Sequence, residues 1–337
     1  MKYCFRADMN NQIASGHIMR CLSIADAMRE QGAEVFFAVA DENPVALLDE
    51  RGYEVKVLSS DWQDLEGELP KLLSLLQEEK AEGILVDHYG ATESYLKSLQ
   101  QVIPVTYLDD LNDIKVVENR RICYGAYYED FDYLSKNAGS KTEFLLGPSY
   151  VPLRGVFQEN HKKQIRGQVE TLLIMSGGSD PMGIIKKLLG RLPLANYQKV
   201  IAICGAFCED YAALVETYKQ MPQVELVKAT SHIETYMEQA DVAISAAGTT
   251  LYELCAMGTP TISYVLADNQ IPNARAFAKM GIIPWVGDAR TEDVTTNILQ
   301  LLAGKYTEQT YRKQQSERMQ QLVDGKGAKR IAEKMIG

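Results

Sequence analysis

The sequence predicts an α/β protein made of two parallel-sheet domains. Three observations predict it. Short apolar runs alternate with amphipathic segments from Lys2 to Leu108. The alternation then breaks down in a Tyr-, Pro- and Gly-bearing stretch, and a second alternating series begins at Thr171. Strands that alternate with helices read as βαβ units, which form parallel sheets.

In the first series the strands are Lys2–Arg6, Glu34–Ala40, Tyr53–Leu58, Gly83–Val86 and Pro104–Leu108. Each is a short run of β-branched, aromatic or aliphatic residues, as a strand buried on both faces requires. The helices are Ile18–Glu30, Leu69–Glu79 and Thr92–Gln101. From about Asn112 to Gly147 the chain is rich in Tyr and Asp and only weakly periodic. GPSYVPLRGVFQENHKKQIRGQ then carries prolines, glycines and a charge cluster, and marks a domain seam. The second series has strands Thr171–Met175, Lys199–Cys204, Val224–Val227, Val242–Ser245 and Thr261–Val265. Between them lie helices Asp210–Lys219, His232–Gln239, Thr250–Met257 and Asn273–Met280. The expected domains are therefore 1–150 and 165–325, each Rossmann-like, facing across a cleft. A terminal helix occupies 326–337, either crossing to the first domain or staying with the second.

Composition bounds the function. The chain has 337 residues, enough for two ordinary domains, and at 46% hydrophobic and 24% charged it is globular in type. A net charge of −10 without a basic stripe argues against nucleic acid as a partner. No segment reaches the ~18 apolar residues of a membrane span. Arg6 and Asp8 interrupt any signal-peptide core, so the expected location is the cytoplasm. Cys4, Cys21, Cys123, Cys204, Cys208 and Cys255 are scattered and read as reduced, mostly buried thiols without a metal site. No cofactor is expected.

Ligands of open α/β sheets bind beyond the carboxyl ends of the strands, so chemistry belongs in the loops there. FRADMNNQIASGHIMRCLSIADAM places Gly16 and His17 where the loop after the first strand becomes a helix. Histidine titrates near neutral pH and can take a proton from water, and the positive end of a helix disfavours the imidazolium. His17 is thus the candidate base, and Asp8 either orients it or touches a ligand. His88 is a rival base or a packed neighbour. Asp87, Asp109 and Asp110 read as loop-holding or His-orienting groups. In the second half, SGGSDP supplies Gly177, Gly178 and Ser179 to an anion, and AAGTT supplies Ala247, Gly248 and Thr249 at a helix start. Glu253, one turn into that helix, suits a ribose diol. Asp268, Asn269, Gln270 and Asn273 follow the next strand, where they suit a sugar or a diphosphate.

The C-terminal segment resembles the nucleotide-binding half of the GT-B fold, in particular enzymes related to the peptidoglycan transferase MurG. GHIMRCL, DHYG, LDDL, the Pro-Leu-Arg at 152–154, SGGSD and the Asn-Gln pair together are similar to the PseG family of UDP-2,4-diacetamido-2,4,6-trideoxy-β-L-altropyranose hydrolases, which also includes spore coat polysaccharide biosynthesis proteins. The resemblance runs from Lys2 to about Met280. It implies metal-independent hydrolysis of a UDP-activated amino sugar with inversion, His17 as base, and Tyr89 and Asn269 at the reacting centre. It implies ribose binding by Glu253, contact from Gln270 and Asn273, and the base against the backbone near His232 and Ile233. Arg154 contacts the substrate or braces the hinge. The chain would act as a monomer or weak dimer on a UDP-sugar.

Two departures stand out. Ala14 replaces a family glycine in IASGH. CYGAYYEDFDY, 123–133, replaces an Asn-rich strand end and leaves the exact sugar open. Two other readings stay in view: a glycosyltransferase with an acceptor other than water, and a non-catalytic nucleotide-sugar binder.

Overall fold

The computed structural model describes residues 1–337 apart from Asn11, Ala14, Glu159 and Asn160. The chain forms two compact units, Met1–Gly155 with Gly325–Gly337, and Val156–Asp324.

The first unit holds strands β1 (Lys2–Ala7), β2 (Glu34–Val39), β3 (Glu54–Val57), β4 (Gly83–Asp87), β5 (Val105–Leu108), β6 (Arg120–Cys123) and β7 (Glu143–Leu146). Its helices are α1 (Gly16–Glu30), α2 (Val45–Glu50), α3 (Leu65–Glu78), α4 (Glu93–Gln100) and the short α5 (Tyr133–Lys136). The sheet order is β3-β2-β1-β4-β5-β6-β7, and every pairing is parallel. β1 lies between β2 and β4, so the connections leaving β1 and β4 diverge to opposite faces. That divergence opens a crevice at their carboxyl ends. Cys4, Phe36, Ile84 and Val86 of the sheet pack under Leu72, Leu76, Tyr95 and Leu96 of α3 and α4.

The second unit holds β8 (Thr171–Met175), β9 (Lys199–Cys204), β10 (Val224–Lys228), β11 (Val242–Ala246), β12 (Thr261–Val265) and β13 (Trp285–Asp288), in the parallel order β10-β9-β8-β11-β12-β13. Its helices are α6 (Ile184–Arg191), α7 (Tyr211–Tyr218), α8 (Ile233–Gln239), α9 (Thr250–Met257), α10 (Ile271–Lys279), α11 (Val294–Ala303) and α12 (Gln309–Leu322). The reversal of order here falls between β8 and β11. Leu172, Ile174, Val200, Ile244 and Ile262 meet Ile185, Leu188 and Ile298 in its core.

Several elements differ from the sequence reading. β6 and β7 extend the first sheet within the weakly periodic stretch, and β13 adds a strand to the second sheet beyond Met280. α11 and α12 were not read at all. α3 begins at Leu65, not Leu69: Pro70 suggests a helix start, but the cap is Asp64, whose side chain accepts from the Gly67 N–H. All six cysteines are free and buried. No helix of the described residues is long and apolar enough to cross a membrane.

The last helix, α13 (Gly327–Ile336), belongs to the first unit and packs on α1. Tyr3 Oη donates to the Met335 carbonyl at 2.7 Å, and Arg330 Nη1 donates to the Ser149 carbonyl at 2.9 Å. Gly327 starts the helix so close to the Tyr150–Val151 peptide that a methyl group there would collide with the Val151 carbonyl oxygen. Backbone cannot yield as a side-chain tip can. Gly327→Ala is therefore expected to cost about 1–3 kcal/mol, like other overpacked sites. Thermal unfolding should show it as a lowered Tm, and an unchanged Tm would mean that the α13 start shifts freely.

Candidate active site

In the first unit the site forms at the crevice between β1 and β4. β4 ends in Asp87, and α1 begins at Gly16 after the loop that follows β1. His17 is the second residue of α1 and is buried. Its Nδ1 lies 2.6 Å from Asp87 Oδ1. Arg20, three residues on and so on the same helix face, donates from Nε to Asp87 Oδ2 and from Nη2 to Asp87 Oδ1, both at 2.5 Å. Arg20 Nη1 donates to Asp110 Oδ2 at 2.5 Å and to Tyr124 Oη at 2.8 Å.

Burial alone would raise the Asp87 carboxyl, but Arg20 and His17 outweigh it and hold it well below the usual carboxylate range. An ionised carboxylate only accepts. His17 therefore carries its proton on Nδ1, and its Nε2 bonds to no described residue. The 3.2 Å approach of Arg20 Nη2 to His17 Nδ1 follows from two donors converging on one oxygen. Tyr89 lies edge-on to the imidazole, with ring centroids 4.6 Å apart, and its hydroxyl donates to Asp110 Oδ2 at 3.2 Å. Burial and the Asp110 charge push that phenol up to about 12, so it stays a neutral donor at physiological pH.

The neighbouring acidic groups divide their work. Asp109 is fully buried, paired with Arg121 at 3.0 Å and accepting from Tyr133 Oη at 2.7 Å. The two aspartates of LDDL thus serve different arginines. Asp8 accepts from Arg6 Nη1 at 2.6 Å and from the Ala40 N–H at 2.8 Å, so both of its oxygens serve its own chain. Arg6 is bound in turn by Glu68 at 2.6 and 2.8 Å. His88 accepts the Gly90 N–H on Nδ1 at 2.8 Å, which puts its proton on Nε2, 3.5 Å from Asp8. Burial first, then the Arg6 charge, lowers His88 to about 4. His88 is thus a packed neutral neighbour of the site.

In the second unit the corresponding loops follow β8, β9, β11 and β12. Gly177, with φ +68°, and Gly178 and Ser179 leave β8. Gly205, after β9, has no room for a methyl group against the Gly178 carbonyl oxygen, and the Phe207 N–H donates to that oxygen at 3.0 Å. The two loops are therefore locked backbone to backbone. The SGGSDP segment does not offer the first amides of α6 to a ligand. Asp180 already takes them, accepting from Ile184 N at 2.9 Å and Ile185 N at 3.0 Å. The α9 start is different: the Thr249 and Thr250 N–H groups donate to no acceptor among the described residues. Gln270 accepts from the Leu266 N–H at 2.8 Å, and its Nε2 lies 4.0 Å from where a Cβ on Gly248 would sit. Asn273 is buried and receives the Tyr252 hydroxyl at 2.5 Å, so it braces α9.

The structure brings His17 and Tyr89 together in the first unit. It gathers Ala247, Gly248, Thr249, Glu253 and Gln270 around the α9 start in the second. Asn269 is exposed on the single turn after β12. Ile233 opens α8, and Arg154 is partly buried near the end of the first unit's main segment. A Cβ on Gly16 would meet open space. Ala14 lies outside the described residues. Arg20 and Tyr124 were not singled out from sequence. The one available signal for Arg20 was its i+3 spacing from His17.

Residues 171–333 match the glycosyltransferase family 28 C-terminal domain. The chain is similar to the UDP-2,4-diacetamido-2,4,6-trideoxy-beta-L-altropyranose hydrolase of Campylobacter jejuni, with 26% identity over 83% of this chain and 97% of that protein. It is similar to the spore coat polysaccharide biosynthesis protein SpsG of Bacillus subtilis, with 24% identity over 82% of this chain and 80% of that one. An uncharacterized protein of Methanocaldococcus jannaschii is 23% identical over 80% of this chain, which spans just 56% of that longer relative. The crystal structure of Acinetobacter baumannii MurG matches with a TM-score of 0.70 and 13% identity, covering 100% of this chain and 99% of that one. The fold is GT-B.

His88 gives the site a pH signature. Its folded value of about 4 lies below the ordinary 6.5, so between the two the unfolded chain binds a proton that the folded chain does not. The stability this contributes is complete above about pH 6.5 and is lost as pH falls toward 4. Urea titrations across that window should show the slope in the wild type and a flatter one in His88→Gln. Equal slopes would assign the effect to other groups.

Proposed function

We propose that this chain, a relative of nucleotide-sugar enzymes over most of its length, hydrolyses a UDP-activated diacetamido-trideoxy sugar to UDP and the free sugar. The observation that carries the reading is the state of His17: Nδ1 is committed to Asp87 at 2.6 Å, and Nε2 has no partner among the described residues. An imidazole so held is a general base for water.

In the proposed reaction His17 Nε2 takes a proton from water as the water oxygen bonds to the anomeric carbon. The bond from that carbon to the phosphate oxygen breaks, and its electron pair leaves with UDP. A single displacement from the opposite face inverts the centre. The imidazolium then returns its proton to solvent. The base supplies the activated water, so no metal is required by this route. Tyr89 and Asn269 line the reacting centre. Gly16 leaves the approach to His17 open, and Arg154 contacts the sugar. Gly177, Gly178, Ser179 and Thr249 hold the diphosphate through backbone amides, Thr249 at the positive end of α9, while Ala247 and Gly248, whose N–H groups donate to the Tyr264 and Ala246 carbonyls, shape the loop beside it. Glu253 and Gln270 hold the ribose and the adjoining phosphate, with the base against Ile233. The corresponding pathway is pseudaminic acid-type or a related surface polysaccharide synthesis in the cytoplasm.

The near-complete coverage of the Campylobacter jejuni hydrolase, 97% of its length, supports water as the acceptor. The family 28 match over 171–333 supports a second reading, sugar transfer to another acceptor. UDP release from UDP-2,4-diacetamido sugar isomers, without acceptor and with EDTA present, separates them. The wild type should release UDP, and His17→Ala should be slower by about 10²–10⁴-fold, the usual range for a general base. Release only with an added acceptor would replace the hydrolase by a transferase. UDP binding without any turnover would leave a binding protein.

A further inference from the structure

Arg20 takes no part in the displacement, yet both carboxylates of the catalytic pair converge on it. Its planar fork grips Asp87 through Nε and Nη2, fixing the plane of that carboxylate. The oxygen that receives Nη2 is the one that receives His17 Nδ1. On its other side Nη1 holds Asp110, the acceptor of the Tyr89 hydroxyl, and Tyr124 Oη. The side chain is 13% exposed, so these bonds are little screened by water.

We propose that Arg20 is the positioning residue that joins the carboxylate of the base His17 to the carboxylate of Tyr89, fixing the imidazole tautomer and the phenol direction as one unit. The kinetic part of this proposal rests on the hydrolase reading, whereas the tautomer part does not.

The charges around His17 make the idea measurable. His17 is faced by Asp87 from the end of β4, by Tyr89 from the loop behind it and by Arg20 from its own helix. Asp110 and Tyr124 lie one contact further through Arg20, and His88 adjoins Asp87 in sequence as a neutral group. One cation therefore stands against two carboxylates. Removing the cation leaves their pull on a His17 proton unopposed. Removing the Asp110 charge weakens that pull.

The experiment combines ¹⁵N NMR of the histidine side chains with kcat, KM and pH profiles for Arg20→Met, Arg20→Lys and Asp110→Asn. The wild type should show His17 protonated on Nδ1. Arg20→Met should mix the tautomers and move the acidic limb of kcat/KM to higher pH. It should lower kcat by about 10–100-fold, the usual scale for a group that orients a ligating or catalytic histidine, with KM little changed. Arg20→Lys keeps the charge but not the fork. It should hold the limb near the wild-type position without recovering kcat. A wild-type tautomer and an unmoved limb in Arg20→Met would overturn the proposal. So would full recovery of kcat by lysine, because a point charge would then suffice. Should Arg20→Met not fold, Asp110→Asn decides: its limb should move to lower pH, and an unmoved limb refutes the coupling. The NMR needs no substrate. A wild type that releases no UDP would end the hydrolase reading while the tautomer still judges Arg20.

Discussion

The first unit is organised around one expensive act, the burial of an ionised carboxylate at the end of β4. Taking Asp87 out of water is costly unless donors meet it. The donors come from α1, where His17 and Arg20 are three residues apart and share a face. That requirement fixes where α1 starts and how it is rotated against the sheet. The same device recurs twice more behind the site. Arg6 bridges Asp8 and Glu68, and Arg121 bridges Asp109 and Glu118. Three arginines, each between two carboxylates, thus make a polar layer under the crevice. Truncating any one partner would leave a buried charge behind, which is why such layers are rigid.

Much of the fold was legible in the sequence because a parallel strand is an apolar run. Cys4–Phe5, Ile84–Val86 and Ile244 read as buried and are buried. The missed elements are those whose burial depends on partners distant in sequence. β6 opens with two arginines, and Arg121 is fully buried only because Asp109 and Glu118 receive it. α12, QTYRKQQSERMQQL, looks like a solvated helix, yet Gln315 is buried. Its amide nitrogen donates to the Thr261 and Ile282 carbonyls, and its oxygen accepts the Thr261 N–H. Hydrophobic periodicity cannot see a helix that packs by hydrogen bonds.

The candidate site divides the same way. His17 was visible because its position at a loop-to-helix junction is local. Arg20 was not, since its meaning lies in Asp87 and Asp110, 67 and 90 positions away. The glycine-rich loop after β8 shows the opposite error. Its composition suggested an open helix end, but Asp180, four residues after Ser176, closes that end itself. Gly205 matters instead, because it lets one loop backbone lie against another.

The return of α13 to the first unit has a consequence for synthesis. Residues that complete the packing on α1 are translated after the whole of Val156–Asp324. Domains generally fold as units during translation, N-terminal first. Here the second unit is contiguous and can fold as it emerges, whereas the earlier one must wait. Until its last segment arrives, α1 keeps an apolar face uncovered, with His17 on the same helix. The nascent chain thus has the Val156–Asp324 unit finished before the unit that bears His17.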